Sequence, residues 1–221
     1  MSSPPAPAGG PSHDSLTIRP PLQQRSRQAW SRVLDAGVTL LEEGGYEAFT
    51  IAAVCARAQV APRALYARAD TKDALFLAVY EHGMARVRAD ESVLAAEERR
   101  RGMPPGQVVE QAVRDVAGIF RRHAALLRSV VLISGVHPEV NRRGALYSQE
   151  LGDRFTAVLL RVRDDIDDAD PEAAIRAAFN AVFSTLVLRV AYGPAFATPA
   201  TEDEAFLQAL VTMVGRYLFA R

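Results

Sequence analysis

Between Thr50 and Leu75 the chain reads TIAAVCARAQVAPRALYARADTKDAL, and this stretch holds the residues best placed for chemistry. Thr50 is an N-cap residue type, and Ile51, Val54, Cys55 and Ala58 fall on one face of the helix it would open. Gln59-Val60-Ala61 breaks that helix, and Pro62 suits the first position of a second one ending near Tyr66. Val60 and Leu65 can pack back on Val54. Two short helices joined by a tight turn predict a helix-turn-helix, whose second helix can enter a DNA major groove with its N-terminal residues at the base edges. Arg63 is the candidate base reader, because a guanidinium pairs bidentately with guanine. Pro62 and Ala64 offer apolar contact to thymine methyls. Residues 19–88 hold ten Arg and Lys against seven Asp and Glu, the sign of charge that a DNA-binding end requires. Taken singly, each of these side chains is equally compatible with solvated surface; the pattern as a whole points to DNA.

Positioning this segment requires helices on either side. Upstream, Trp30, Val33, Leu34, Val38 and Leu41 recur at helical spacing until Gly44-Gly45 stops the run. Downstream, Leu75, Phe76, Val79, Tyr80, Met84 and Val87 share a face of a long helix that is expected to fray into Glu97–Arg101. Gly102-Met103-Pro104-Pro105-Gly106 then breaks the chain. Further apolar stripes follow at 108–120, 124–134 and from Pro138 to about Ile166. Asp170-Pro171-Glu172 supplies an N-cap, a first-position proline and a first-turn acid for the next helix. Thr201 and Glu204 have the spacing of a capping box for the last one. No strand-period segment or internal repeat appears. The expected fold is all-α with about nine helices: a disordered arm at 1–20, a helix-turn-helix domain at 21–70 and a helical domain at 71–221. The first 21 residues, with six of the 13 prolines and few apolar groups, cannot offset the entropy of ordering.

Several residues carry a resemblance. Thr50, Val54, Ala58-x-Val60, Leu65-Tyr66, Thr71-Lys72-Asp73-x-Leu75 and the upstream Gly44-Gly45-Tyr46 with Phe49-Thr50 resemble the signature of the TetR family of bacterial regulators, over roughly residues 23–80. The sequence departs from it at four positions. Gln59 stands at the turn glycine, where a positive φ would cost about 1 kcal/mol. Ala61 replaces the turn serine at the interface. Arg63 replaces a glycine early in the second helix, and Ala69 replaces an aromatic. The resemblance implies phosphate contacts from Thr50, Tyr66 and Lys72, and from Arg68 in place of the family's histidine. Lys72 is the only lysine and opens a helix, whose N-terminal N–H groups also favour an anion. Arg19, Arg25 and Arg27 could reach DNA backbone or the minor groove.

The resemblance also implies that residues 105–221 sense a small-molecule effector and form a homodimer. His123, Arg128, Tyr147, Phe155, Phe179, Asn180 and Phe183 are the candidate pocket residues, being polar or aromatic on otherwise apolar helices. The last two helices, with Ala173, Ala174, Ala177, Ala178 and Ala181 beside their stripes, would pair with a second chain's in a four-helix bundle. Leu210 or Val214 would then face the partner.

Other chemistries find little support. The 26 basic and 26 acidic side chains balance, and no run of about 18 apolar residues suggests a membrane span. The start, Met-Ser-Ser-Pro-Pro, lacks the character of a signal peptide, and one cysteine excludes an internal disulfide, so a cytoplasmic location is expected. Asp164, Asp165, Asp167, Asp168 and Asp170 read as a solvated link rather than a cation site. No nucleophile elbow, phosphate loop, metal-ligand spacing or cofactor motif is visible, and no enzyme activity is expected. The expected function is therefore a dimeric regulator, in the repressor sense, that releases a palindromic operator on double-stranded DNA when an effector binds. The alternative is an all-helical small-molecule binding or interaction protein that has lost DNA binding.

Overall fold

A computed structural model describes residues 24–95, 97–196 and 199–219. Among the described residues nine α-helices of five residues or more make up the fold: α1 (Gln24–Ala48), α2 (Ile51–Ala58), α3 (Pro62–Tyr66), α4 (Lys72–Asp90), α5 (Pro105–Arg122), α6 (Ala124–Ser134), α7 (Pro138–Leu159), α8 (Pro171–Tyr192) and α9 (Asp203–Phe219). No strand occurs among the described residues, so the all-α expectation holds. The arm at 1–20, with Arg19, lies outside the described residues. Arg25 and Arg27 stand exposed in the first turn of α1.

Local signals set most boundaries. Gly45, at φ 66°, ends the regular part of α1 where the glycine pair predicted. Thr50, Thr71 and Asp170 each cap a helix by accepting from the backbone N–H three residues on, at 3.1, 3.0 and 3.1 Å. One cap fails. Thr201 donates its hydroxyl to Pro199 O at 3.2 Å and Glu204 pairs with Arg114, so α9 starts at Asp203 without the capping box.

The stretch after α4 does not simply fray. A helical turn at Ser92–Ala95 and a 3₁₀ turn at Glu97–Arg100 are drawn inward by Arg100, which donates to Leu94 O at 2.8 Å and Val93 O at 3.2 Å and pairs with buried Asp115 of α5. A guanidinium with five donors can tie two turns and a helix together, which sequence periodicity does not reveal.

One continuous core runs through the molecule, with Tyr80, Phe49, Phe76 and Phe155 among its largest buried side chains. α1 and α4 cross closely enough that a Cβ on Gly37 would come within 2.4 Å of Val79 Cγ2. α6 docks on this pair: a Cβ on Gly83 would meet Leu126 Cδ2 at 2.7 Å, and Ser129 Oγ donates to Leu41 O at 2.6 Å. α8 is long and apolar enough by length and composition to cross a membrane. Its Ile175, Phe179, Val182 and Leu186 are instead buried against the rest of the chain, which is the behaviour of a core helix. Leu210 and Val214 are likewise buried inside the protomer, at 5% and 1% exposure, so neither faces outward to meet a partner.

Candidate nucleic-acid interface

α2 and α3 form the helix-turn-helix, and one buried side chain anchors the second helix. Leu65 is 1% exposed, whereas Pro62, Arg63, Ala64 and Tyr66 are all exposed. The turn holds because Gln59 takes the left-handed conformation, φ 53° and ψ 49°, and its neighbour Val60 returns a hydrogen bond to Cys55 O at 3.1 Å. Gln59 thus does what the missing glycine would do, with the Cβ strain that this region imposes. Ala61 is extended and supplies no side-chain cap, so Pro62 at the first position stabilises the start of α3. Ala69 is fully buried, and the helix-turn-helix survives the loss of an aromatic there. Burial also raises the Cys55 thiol pKa, consistent with a packing role for that side chain.

Two of the cations around α3, Lys72 and Arg68, are braced by neighbouring side chains. Lys72 Nζ lies 4.0 Å from the centroid of the Tyr46 ring, and Tyr46 donates its hydroxyl to Asp73 Oδ1 at 3.3 Å. Tyr46 in turn meets Phe76 edge-on at 4.9 Å. Arg68 lies over Trp30 at 5.8 Å and hydrogen-bonds Ser26 Oγ. Thr50 spends one lone pair on its cap and keeps its O–H for an outside acceptor. Arg63 and Tyr66 have no hydrogen bond or ion pair among the described residues, and Tyr66 is 50% exposed. Donors at two helix starts, exposed Thr50 and half-buried Lys72, and at one helix end, exposed Tyr66, are what a phosphate backbone would use, and an unpaired Arg63 at the start of α3 is available to a base edge. Tyr46, Trp30 and Ser26, the braces, escaped the sequence reading. Tyr46 stands inside the motif, but only the packing of α1 against α4 brings it under Lys72.

The C-terminal helices line a cavity of about 360 Å³, open to solvent on one side, between α5, α6, α8 and α9. Of the seven pocket candidates, Arg128 lines it. Phe179 lines a second hollow of about 390 Å³ beside Gly152 and Thr156. The other five line neither. His123 pairs with Asp90 at 3.0 Å, Tyr147 is buried beneath Arg88, Phe155 packs on Phe179, Asn180 is exposed, and Phe183 meets Phe120 edge-on. Arg114, Arg121 and Arg189 line the first cavity and were not anticipated. Arg114 and Arg121 lie seven residues apart on one face of α5, a spacing that could have flagged them.

An exposed helix-turn-helix on an all-helical body with a separate cavity defines a DNA-binding transcriptional regulator. Residues 33–79 match the model of the bacterial regulatory proteins of the TetR family, and residues 104–218 match the tetracycline-repressor-like C-terminal domain. The chain belongs to the TetR family. Solved structures agree on the fold. A transcriptional regulator from Rhodococcus sp. is 20% identical, with a TM-score of 0.62 over 85% of this chain and 94% of that one. The TetR-family regulator PfmR from Thermus thermophilus is 18% identical, with a TM-score of 0.58 over 84% and 97%. A TetR-family member from Streptomyces coelicolor is 16% identical, with a TM-score of 0.58 over 86% and 98%. No curated protein matches the sequence significantly.

Proposed function

We propose that the chain acts in the cytoplasm as a homodimeric repressor whose grip on a palindromic operator is released by a small molecule in the α5–α6–α8–α9 cavity. The observation that carries the DNA part is α3 itself, anchored by Leu65 alone and presenting Pro62, Arg63, Ala64 and Tyr66 outward. In this reading Arg63 reads a base, with Ala61, Pro62 and Ala64 close to base edges, while Thr50, Tyr66, Arg68 and Lys72 hold phosphates. Arg25 and Arg27 flank the same site from α1.

Dimerisation is supported by an apolar stripe left outside the core. Leu188 and Tyr192 on α8 and Met213 and Tyr217 on α9 are each about half exposed. Ala177 and Ala181 on the same face of α8 would let a second copy approach closely. Partner contact therefore falls on these residues rather than on Leu210 or Val214. A two-fold axis there would relate the two α3 helices, which would then enter successive major grooves about 34–36 Å apart.

Release is supported by the placement of α6. Ala124, Ala125 and Arg128 line the cavity, while Leu126 and Ser129 on its other side touch α4 and α1. An occupant that shifts α6 must move the elements bearing the helix-turn-helix, since packed helices do not deform continuously. The test is a gel shift with the DNA upstream of the protein's own gene, alongside sedimentation of the free protein. Sequence-selective retardation by a dimer supports the reading. A monomer that binds this DNA tightly overturns the dimer, and no binding at low salt overturns the regulator.

A further inference from the structure

The cavity between α5, α6, α8 and α9 has a chemical character that narrows its occupant. Its inner wall is apolar, built from Phe120, Leu186, Val190, Phe206 and Leu207. Four arginines surround it, and they divide into two kinds. Arg114 is occupied by Glu110, Glu204 and Gln208 at 2.8, 2.9 and 2.8 Å. Arg189 is occupied by Asp203 at 2.6 Å and Thr201 O at 2.9 Å, and its guanidinium lies 4.2 Å from the Phe206 ring centroid. These two are structural, joining α5 and α8 to α9. Arg121 and Arg128, both exposed where the cavity meets solvent, have no ion pair or hydrogen bond among the described residues.

We infer that this cavity takes an amphipathic carboxylate, its apolar body against Phe120, Leu186 and Phe206 and its carboxylate held by Arg121 and Arg128. Arginine forks match a carboxylate's two oxygens, and such charge-assisted pairs are strong where water is partly excluded. A cationic ligand would meet two uncompensated positive charges. A neutral apolar one would leave both guanidiniums unused. At about 30 Å³ per water-sized unit, a cavity of about 360 Å³ holds on the order of a dozen non-hydrogen atoms, the size of decanoate or naphthoate. The inference rests on the effector reading above and specifies the class of molecule.

Two acids of different shape, decanoate and 2-naphthoate, are titrated calorimetrically into the full-length protein without DNA. Decanol, 2-naphthalenemethanol and decylamine serve as neutral and cationic counterparts of similar size. At least one acid should bind about tenfold or more tightly than its neutral counterpart, and the amine should not bind. Arg121→Gln and Arg128→Gln, both at exposed positions, should each weaken that acid by about 10- to 100-fold. Ala125→Trp, also exposed, should block entry while leaving the melting temperature within a few degrees. Equal binding of acid and alcohol, binding of neither acid, or acid binding unmoved by the arginine variants overturns the inference. Because these readouts involve no DNA, they can fail while the gel shift succeeds, or succeed while it fails.

Discussion

Ser129, near the middle of α6, donates its hydroxyl to the carbonyl oxygen of Leu41 in α1 at 2.6 Å, although 88 residues separate them. This bond joins a helix that lines the α5–α6–α8–α9 cavity to the helix that supports the helix-turn-helix. Ser129→Ala leaves a buried carbonyl without this donor and should cost about 1 kcal/mol in urea unfolding. Operator affinity in the ligand-free state should change little, while the ligand concentration needed for release should rise. Unchanged unfolding together with unchanged release would show that the bond transmits nothing.

Gln59 predicts a gain. Its φ of 53° imposes a Cβ penalty that glycine lacks, so Gln59→Gly should stabilise the protein by about 1 kcal/mol. For a chain of 221 residues that corresponds to about 2–4 °C in melting temperature. Calorimetry showing no gain would mean that the added freedom of the unfolded glycine cancels the relief.

DNA contacts separate by what they do to selectivity. Tyr66→Phe and Lys72→Ala should weaken binding to all sequences alike, but only Lys72→Ala, which removes a charge, should reduce the log–log salt slope, by about 0.9. Lys72→Ala also removes the contact with Tyr46 and should lower stability by about 0.5–1 kcal/mol, which Tyr66→Phe should not. Arg63→Ala should instead relax preference at one base pair per half-site, at about 1–3 kcal/mol. A selection experiment returning the same sequence logo for Arg63→Ala and wild type would remove Arg63 from the readout.

Charge placed on α9 should have opposite effects one turn apart. Met213→Glu, at an exposed position, should give a folded monomer with much weaker operator binding. Leu210→Glu should unfold the protein, because it buries a carboxylate in the protomer core. Sedimentation and circular dichroism distinguish the two. A folded, dimeric Met213→Glu would move the partner surface elsewhere.

Glu139, in the first turn of α7, sits between Arg142 and Arg143, which lower its pKa from 4.5 to about 2. A depressed carboxylate pKa contributes stability above the unfolded value and loses it as pH falls from about 4.5 toward 2. Solvent screening holds the contribution to no more than about 1 kcal/mol. Glu139→Gln should therefore destabilise the protein at pH 7, and its stability should converge with wild type near pH 2. A constant difference across that range would assign the loss to packing.

The sequence by itself determined the all-helical architecture and the recognition segment, because both are written in local terms. Caps at Thr50, Thr71 and Asp170, prolines at first helical positions and apolar stripes at helical spacing act within a few residues. The left-handed turn at Gln59 was implied by the resemblance, which sets this residue where the family has its turn glycine. Tertiary structure decided the rest. Thr201 and Glu204 had capping-box spacing, but Arg114 claimed the glutamate. α9 carries Leu210, Val214, Met213 and Tyr217, so periodicity could not say which apolar residues meet the chain's own core and which are left outside. The cavity arginines come from α5, α6 and α8, and whether each is paired or free depends on acids far along the chain. Local backbone preferences act over one turn of helix, whereas cavities, ion pairs and exposed faces arise from packing helices distant in sequence.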